Sequence, residues 1–158
     1  MKSLSIAVIG CGRIGQMHAK NLQLHEKTNL ACIYDPNDEF AKKISRDLGV
    51  QAVENVDEIF NNQNIDAVLI SSPTDTHIDF IEKSVAVKKP VLCEKPIDLD
   101  INKVNECSER LKGNTTPIQL GFNRRFDPGH QAAKKSLTNG EIGDLHQCLI
   151  TSRDPGLP

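Results

Sequence analysis

Leu4-Ser5-Ile6-Ala7-Val8-Ile9-Gly10-Cys11-Gly12-Arg13-Ile14-Gly15 decides how the rest of the chain is read. Leu4 to Ile9 is a short apolar, β-branched strand, and the helix after it starts near Arg13. Between them, Gly10, Gly12 and Gly15 form a G-x-G-x-x-G turn. The first glycine permits the tight bend and the second lets backbone approach a pyrophosphate. The third lets the helix pack close on the sheet, and the helix N-terminus offers unpaired N–H groups and a favourable dipole. Alone the pattern is weak. Its context gives it weight: a strand precedes it, and Asp35 follows 20 residues after Gly15, at the end of the next strand. A carboxylate there accepts from both adenosine ribose hydroxyls and repels a 2′-phosphate, and no Arg or Lys follows Asp35 directly. The spacing predicts NAD rather than NADP at Gly10, Gly12, Arg13, Ile14, Gly15 and Asp35. The plain alternative is a glycine turn with no ligand.

Outward from this turn, β-branched runs alternate with amphipathic stretches, the sign of βαβ units and a parallel sheet. Leu30 to Tyr34 reads as a second strand closed by Asp35-Pro36. Phe40, Ile44 and Leu48 share a helix face, with Gly49 as its stop. Val50 to Val53, Ala67 to Ile70, Pro90 to Cys93 and Ile118 to Phe122 supply further strands. Helices fall at Asp57 to Asn61, Ile78 to Val85 and Ile101 to Leu111. The expected fold is α/β, a doubly wound parallel sheet of the Rossmann type over residues 1–122. Residues 123–158 are expected to hold a junction and the truncated start of an α+β domain. There, a helix is expected at Asp127 to Asn139 and one more strand at Leu145 to Ser152. A lone strand after a finished sheet leaves an apolar face and open edges, which favours association.

Composition sets the class. A chain of 158 residues is long enough for a domain with a real core, because domains of about 150 residues bury roughly 70% of their unfolded surface. Nineteen Lys and Arg against 21 Asp and Glu leave a net charge of −2, which argues against a broad electrostatic grip on nucleic acid or anionic lipid. No segment approaches the apolar length of a membrane span, and the N-terminus lacks a secretory cleavage pattern. Cys11, Cys32, Cys93, Cys107 and Cys148 are odd in number, with no Cys-x-x-Cys pair and no Cys/His cluster. Reduced, mostly buried cysteines, no metal site and a cytoplasmic location are the expectation.

Two loops carry the remaining chemistry. Ser71-Ser72-Pro73-Thr74-Asp75-Thr76-His77 follows the fourth strand, and in a doubly wound sheet the carboxyl strand ends line the ligand crevice. Ser72 and Pro73 are placed against the cofactor, Pro73 offering a rigid surface to a flat ring. Thr74 either meets the cofactor or simply caps the next helix. His77 either faces the site or is a solvated helix residue. Glu94-Lys95-Pro96 ends the fifth strand. Lys95 there can hydrogen-bond a substrate hydroxyl and stabilise the alkoxide that forms as hydride leaves. Glu94 can hold that ammonium or contact the cofactor. From position alone, a solvated surface pair is the competing reading.

Together these residues resemble the glucose–fructose oxidoreductase/inositol dehydrogenase (Gfo/Idh/MocA) family of NAD(P)-dependent oxidoreductases. The matching pieces are Ala7 to Gly15, Ser72-Pro73-Thr74-Asp75-Thr76-His77, Glu94-Lys95-Pro96 and Gly121-Phe122-Asn123-Arg124-Arg125-Phe126-Asp127. Asn123 to Pro128 and Ser152-Arg153-Asp154-Pro155 are most similar to the inositol 2-dehydrogenase branch. The resemblance implies that Lys95 touches both the reacting hydroxyl and the nicotinamide region. It also implies that Arg124 lies near the cofactor and that Asn123 and Asp154 are substrate-side. The plain reading of Arg124-Arg125 is a salt bridge at a domain junction.

Family members are considerably longer and carry a C-terminal αβ domain with an Asp and a His on a helix, the His serving as general base. This chain is expected to end before that helix, and neither His130 nor His146 sits in the expected motif. The expected function is therefore the cofactor half of an NAD-dependent dehydrogenase that oxidises a secondary alcohol of a cyclitol or sugar to a ketone. Its expected partners are a polyol or sugar substrate and, in a full-length form, further copies of itself. Alternatives are a non-enzymatic NAD-binding module and a same-family enzyme acting on another sugar or on a C=C or C=N bond.

Overall fold

Local signals fix most helix ends in the computed structural model, which describes residues 3–153. Helix α1 spans Arg13–Leu24, α2 Asp38–Leu48, α3 Val56–Asn61, α4 His77–Ala86, α5 Ile101–Arg110 and α6 Pro128–Thr138. Asn37, Asn55, Asp100 and Asp127 each accept a backbone N–H at the start of α2, α3, α5 and α6, and Asn55 and Glu58 complete a capping box. Gly49 ends α2 in the left-handed region at φ 64°. Helix α1 differs: its cap is Gly12, which has no side chain to spend on the first turn's N–H groups.

Six strands form one parallel sheet: β1 Leu4–Ile9, β2 Thr28–Tyr34, β3 Gln51–Ala52, β4 Ala67–Ile70, β5 Val91–Cys93 and β6 Ile118–Leu120. Their order is β3-β2-β1-β4-β5-β6, so the winding reverses between β1 and β4. Side chains alternate across the sheet with period two. Ala7, Ile9, Val68 and Ile70 pack with Ile59, Phe60 and Ile81 of α3 and α4. Val8, Ile33 and Leu69 pack with Ala19, Ala41 and Ile44 of α1 and α2. Both faces are covered, which is why Ile6 to Ile9 of β1 and all of β4 are apolar. At the edges, β3 and β6 are only two and three residues long, which limits their unpaired backbone.

The described residues divide into two compact units, one ending at Gly121 and one beginning at Phe122. The second unit holds a 3-10 turn, Asn123–Phe126, and helix α6. The strand expected at Leu145 to Ser152 does not form. A strand needs a neighbour to take up its N–H and C=O groups, and no other strand lies among the described residues of this unit. Leu145, Leu149 and Ile150 stand exposed in irregular backbone.

Candidate functional site

The carboxyl ends of β1, β2 and β4 enclose a cleft of about 490 Å³ at the point where the winding reverses. Gly10, Gly12, Arg13 and Ile14 line it after β1, Asp35, Pro36, Asn37 and Phe40 after β2, and Ser71, Ser72 and Pro73 after β4. The three glycines have distinct jobs. Gly10 has φ +95°, and a Cβ on it would overlap the Ser72 amide nitrogen. A Cβ on Gly15 would overlap the Gly10 carbonyl, so the start of α1 sits directly on the turn. A Cβ on Gly12 would meet nothing within 4 Å. Gly12 thus leaves open space beside uncapped N–H groups, and these residues fit a dinucleotide pyrophosphate.

Asp35 is braced at both oxygens. Its carboxylate accepts the Cys11 N–H at 2.6 Å and the Asn37 N–H at 2.8 Å, linking the glycine turn to the start of α2. Gln16 steadies the same turn: its amide donates to the Cys11 carbonyl at 3.2 Å and accepts from Lys43 Nζ at 2.7 Å. No sequence signal marks Gln16. The Cys11 thiol is pushed up to about 12, by burial first and then by Asp35. It is an inert part of the turn, not a nucleophile.

After β4, the Ser71 hydroxyl donates to the Gly10 carbonyl at 2.9 Å, tying the two loops together. Thr74 is not the helix cap. Thr74–Thr76 is a 3-10 turn, and the Thr76 hydroxyl donates to the Pro73 carbonyl at 2.7 Å before α4 begins. Nor does Thr74 line the cleft. His77 is neither solvated nor turned into the cleft. It is 2% exposed, with Nδ1 2.7 Å from the Pro96 carbonyl and Nε2 2.9 Å from the Ser72 carbonyl. Its ring joins the loop after β4 to the loop after β5, each nitrogen facing a backbone carbonyl.

Cys93 pairs with Ile70, so Lys95 and Ser72 lie at matching positions past neighbouring strand ends. The Lys95–Pro96 bond is cis. Lys95 is exposed, and its ammonium has no hydrogen bond or ion pair among the described residues. Glu94 does not hold that ammonium. Its Oε1 accepts from His18 Nε2 at 2.8 Å, and its Oε2 accepts the Lys95 backbone N–H at 3.3 Å. His18 has a faint sequence signal, three positions past Gly15 on the helix face that meets the sheet.

Asn123 and Arg124 belong to the second unit, both exposed in the 3-10 turn. The Arg124 guanidinium lies 4.0 Å from the Asp127 carboxylate, within that unit. Asp154 lies outside the described residues. Among the described residues, no group of three or more His, Cys, Asp or Glu could hold a metal ion, and no helix is long and apolar enough to cross a membrane.

A family model described as an oxidoreductase family with an NAD-binding Rossmann fold (Gfo/Idh/MocA) matches residues 4–122. Inositol 2-dehydrogenase of Rhizobium meliloti (strain 1021) is 38% identical over 156 residues, covering 99% of this chain and 47% of that protein. The NAD(+) scyllo-inositol 2-dehydrogenase of Bacillus subtilis (strain 168) is 38% identical over 154 residues, covering 96% and 45%. The crystal structure of scyllo-inositol dehydrogenase from Lactobacillus casei, with bound NAD(H) and scyllo-inositol, superimposes with a TM-score of 0.84. It is 34% identical and covers 90% of this chain and 43% of that one. The chain spans about half the length of the curated relatives it matches.

Proposed function

The chain belongs to the Gfo/Idh/MocA family of oxidoreductases with an NAD-binding Rossmann fold, and from that premise we propose that it forms the cofactor-binding part of an NAD-dependent cyclitol dehydrogenase. The whole protein would oxidise a secondary alcohol of an inositol-type ring to a ketone. The observation that carries this reading is the Lys95 ammonium, without a partner among the described residues and in register with Ser72, which lines the glycine-turn cleft.

NAD, when bound, supplies the hydride acceptor. The chain's own residues do the rest. Gly12 and the uncapped start of α1 receive the pyrophosphate, Gly10, Ile14 and Gly15 shape the turn, and Arg13 adds positive charge at its rim. Asp35 accepts from the adenosine ribose hydroxyls. Ser72 and Pro73 form the wall against the flat ring. Lys95 donates to the reacting hydroxyl and stabilises the oxygen as negative charge develops on it. Arg124 is the further candidate for holding the cofactor, and Asn123 and Asp154 are the candidates for holding the substrate. The proton passes to a base in the substrate-binding part of the whole protein, which acts as a homo-oligomer in the cytoplasm.

Turnover of myo-inositol and scyllo-inositol by the whole protein, followed as NADH, tests this against aldose controls. Lys95→Ala should lower kcat by at least about 10²-fold while NAD affinity stays within about threefold. Undiminished turnover in Lys95→Ala would remove Lys95 from the chemistry. Reduction of NAD by aldoses but not by cyclitols would overturn the substrate class.

A further inference from the structure

We propose that His18 is a positioning residue for Lys95, acting through the Glu94 carboxylate. This rests on the reading of Lys95 as the group that stabilises the alkoxide. Glu94 and His18 are both half-buried, with side chains 23% and 19% exposed, and they join α1 to the end of β5 at 2.8 Å. A carboxylate accepts only, so His18 Nε2 donates. The second carboxylate oxygen takes the Lys95 backbone N–H at 3.3 Å, and the Glu94 N–H donates to the Ile70 carbonyl at 2.9 Å. Gly121 closes the slot from β6: a Cβ there would stand 3.2 Å from the carboxyl carbon. The carboxylate is thus confined by a donor on one side and backbone on the other.

Two consequences follow for Lys95. Its backbone is fixed on the Glu94 side by the His18-held carboxylate and on the Pro96 side by His77, 2.7 Å from the Pro96 carbonyl. Each Glu94 oxygen is also engaged, by His18 and by the Lys95 amide, and neither pairs with the Lys95 ammonium. That leaves the ammonium for a hydroxyl. Because His18 lies on α1, the helix that Gly12 caps, the helix that opens onto the pyrophosphate end of the cleft also sets the lysine turn. Packing alone would need a ring of this size at position 18. Positioning needs a donor there.

His18→Leu removes the donor at similar volume, and His18→Gln restores an amide donor near the Nε2 position. In this chain, amide hydrogen exchange at Lys95 should speed up about tenfold in His18→Leu relative to Val8 in the core, and return toward wild type in His18→Gln. Unchanged exchange at Lys95, or equal acceleration at Val8, overturns the proposal. If His18→Leu does not fold, His18→Asn, whose amide stays too close to the backbone to reach Glu94, takes its place. In the whole protein, His18→Leu should lower kcat about tenfold with KM for NAD changed less than about threefold, and add no further loss in a Lys95→Ala background. Losses that multiply in the double variant also overturn it. A Lys95→Ala variant with full turnover instead overturns the role of Lys95, and the exchange rates still decide whether His18 holds the turn.

Discussion

Each glycine of the turn is constrained by a different neighbour, so substitutions separate folding from binding. Gly10→Ala forces a side chain into the left-handed region and into the Ser72 amide, at a cost of about 2–4 kcal/mol. Gly12→Ala points into open space, so thermal unfolding should move by no more than about 2 °C while NAD affinity falls at least about tenfold. Unfolding and calorimetry on the two variants check the contrast, and equal destabilisation would contradict it. At this scale the sequence was legible where backbone demands a residue type, as at Gly10 and Gly15. It was not legible where a side chain serves a distant partner. His77 carries the same code whether it faces solvent or bridges Ser72 and Pro96. Gln16 and His18 earn their places through Cys11 and Glu94, contacts that exist only after the sheet has assembled.

Among elements, the turn just past α4 holds Lys88 at φ 58°, where a side chain is strained and glycine is not. Lys88→Gly should raise stability by about 0.5–1 kcal/mol, the relief of strain exceeding glycine's larger unfolded-state entropy, as read from a denaturant midpoint. Lys89 beside it is a different case. It is buried, and its ammonium donates to the Asn62 and Ile65 carbonyls at 2.8 Å each, closing the end of α3. Burial pushes Lys89 down from its ordinary value, with Asp66 opposing. Strands β1 and β4 and the Gly49 helix stop were readable because apolar runs and glycine act locally. The strand expected at Leu145 to Ser152 was not, because its pattern reports β-propensity and a strand also requires a partner.

For the molecule as a whole, buried thiols make stability fall at alkaline pH. Cys11 and Cys93 are pushed up to about 12 and Cys32 to about 11, each by burial first and then by Asp35, Glu94 and Glu58 respectively. A folded value above the unfolded one means the fold keeps a proton that the unfolded chain has lost. The stabilisation is therefore complete below 9.0 and declines as pH rises from there toward about 12. Denaturant midpoints should fall above pH 9.0, and Cys93→Ala should flatten that fall. At neutral pH, iodoacetamide should label exposed Cys148 and spare the four buried cysteines until unfolding.

The most direct measurement is calorimetric titration of this chain with NAD and, separately, with NADP. Saturable NAD binding with at least about tenfold weaker NADP binding is expected, and Asp35→Ala should narrow that gap. Asp35→Ala also strips an acceptor from the Cys11 and Asn37 amides, so its NAD affinity should fall as well. Binding of neither nucleotide, or NADP binding as tight as NAD, would contradict the assignment of the glycine-turn cleft.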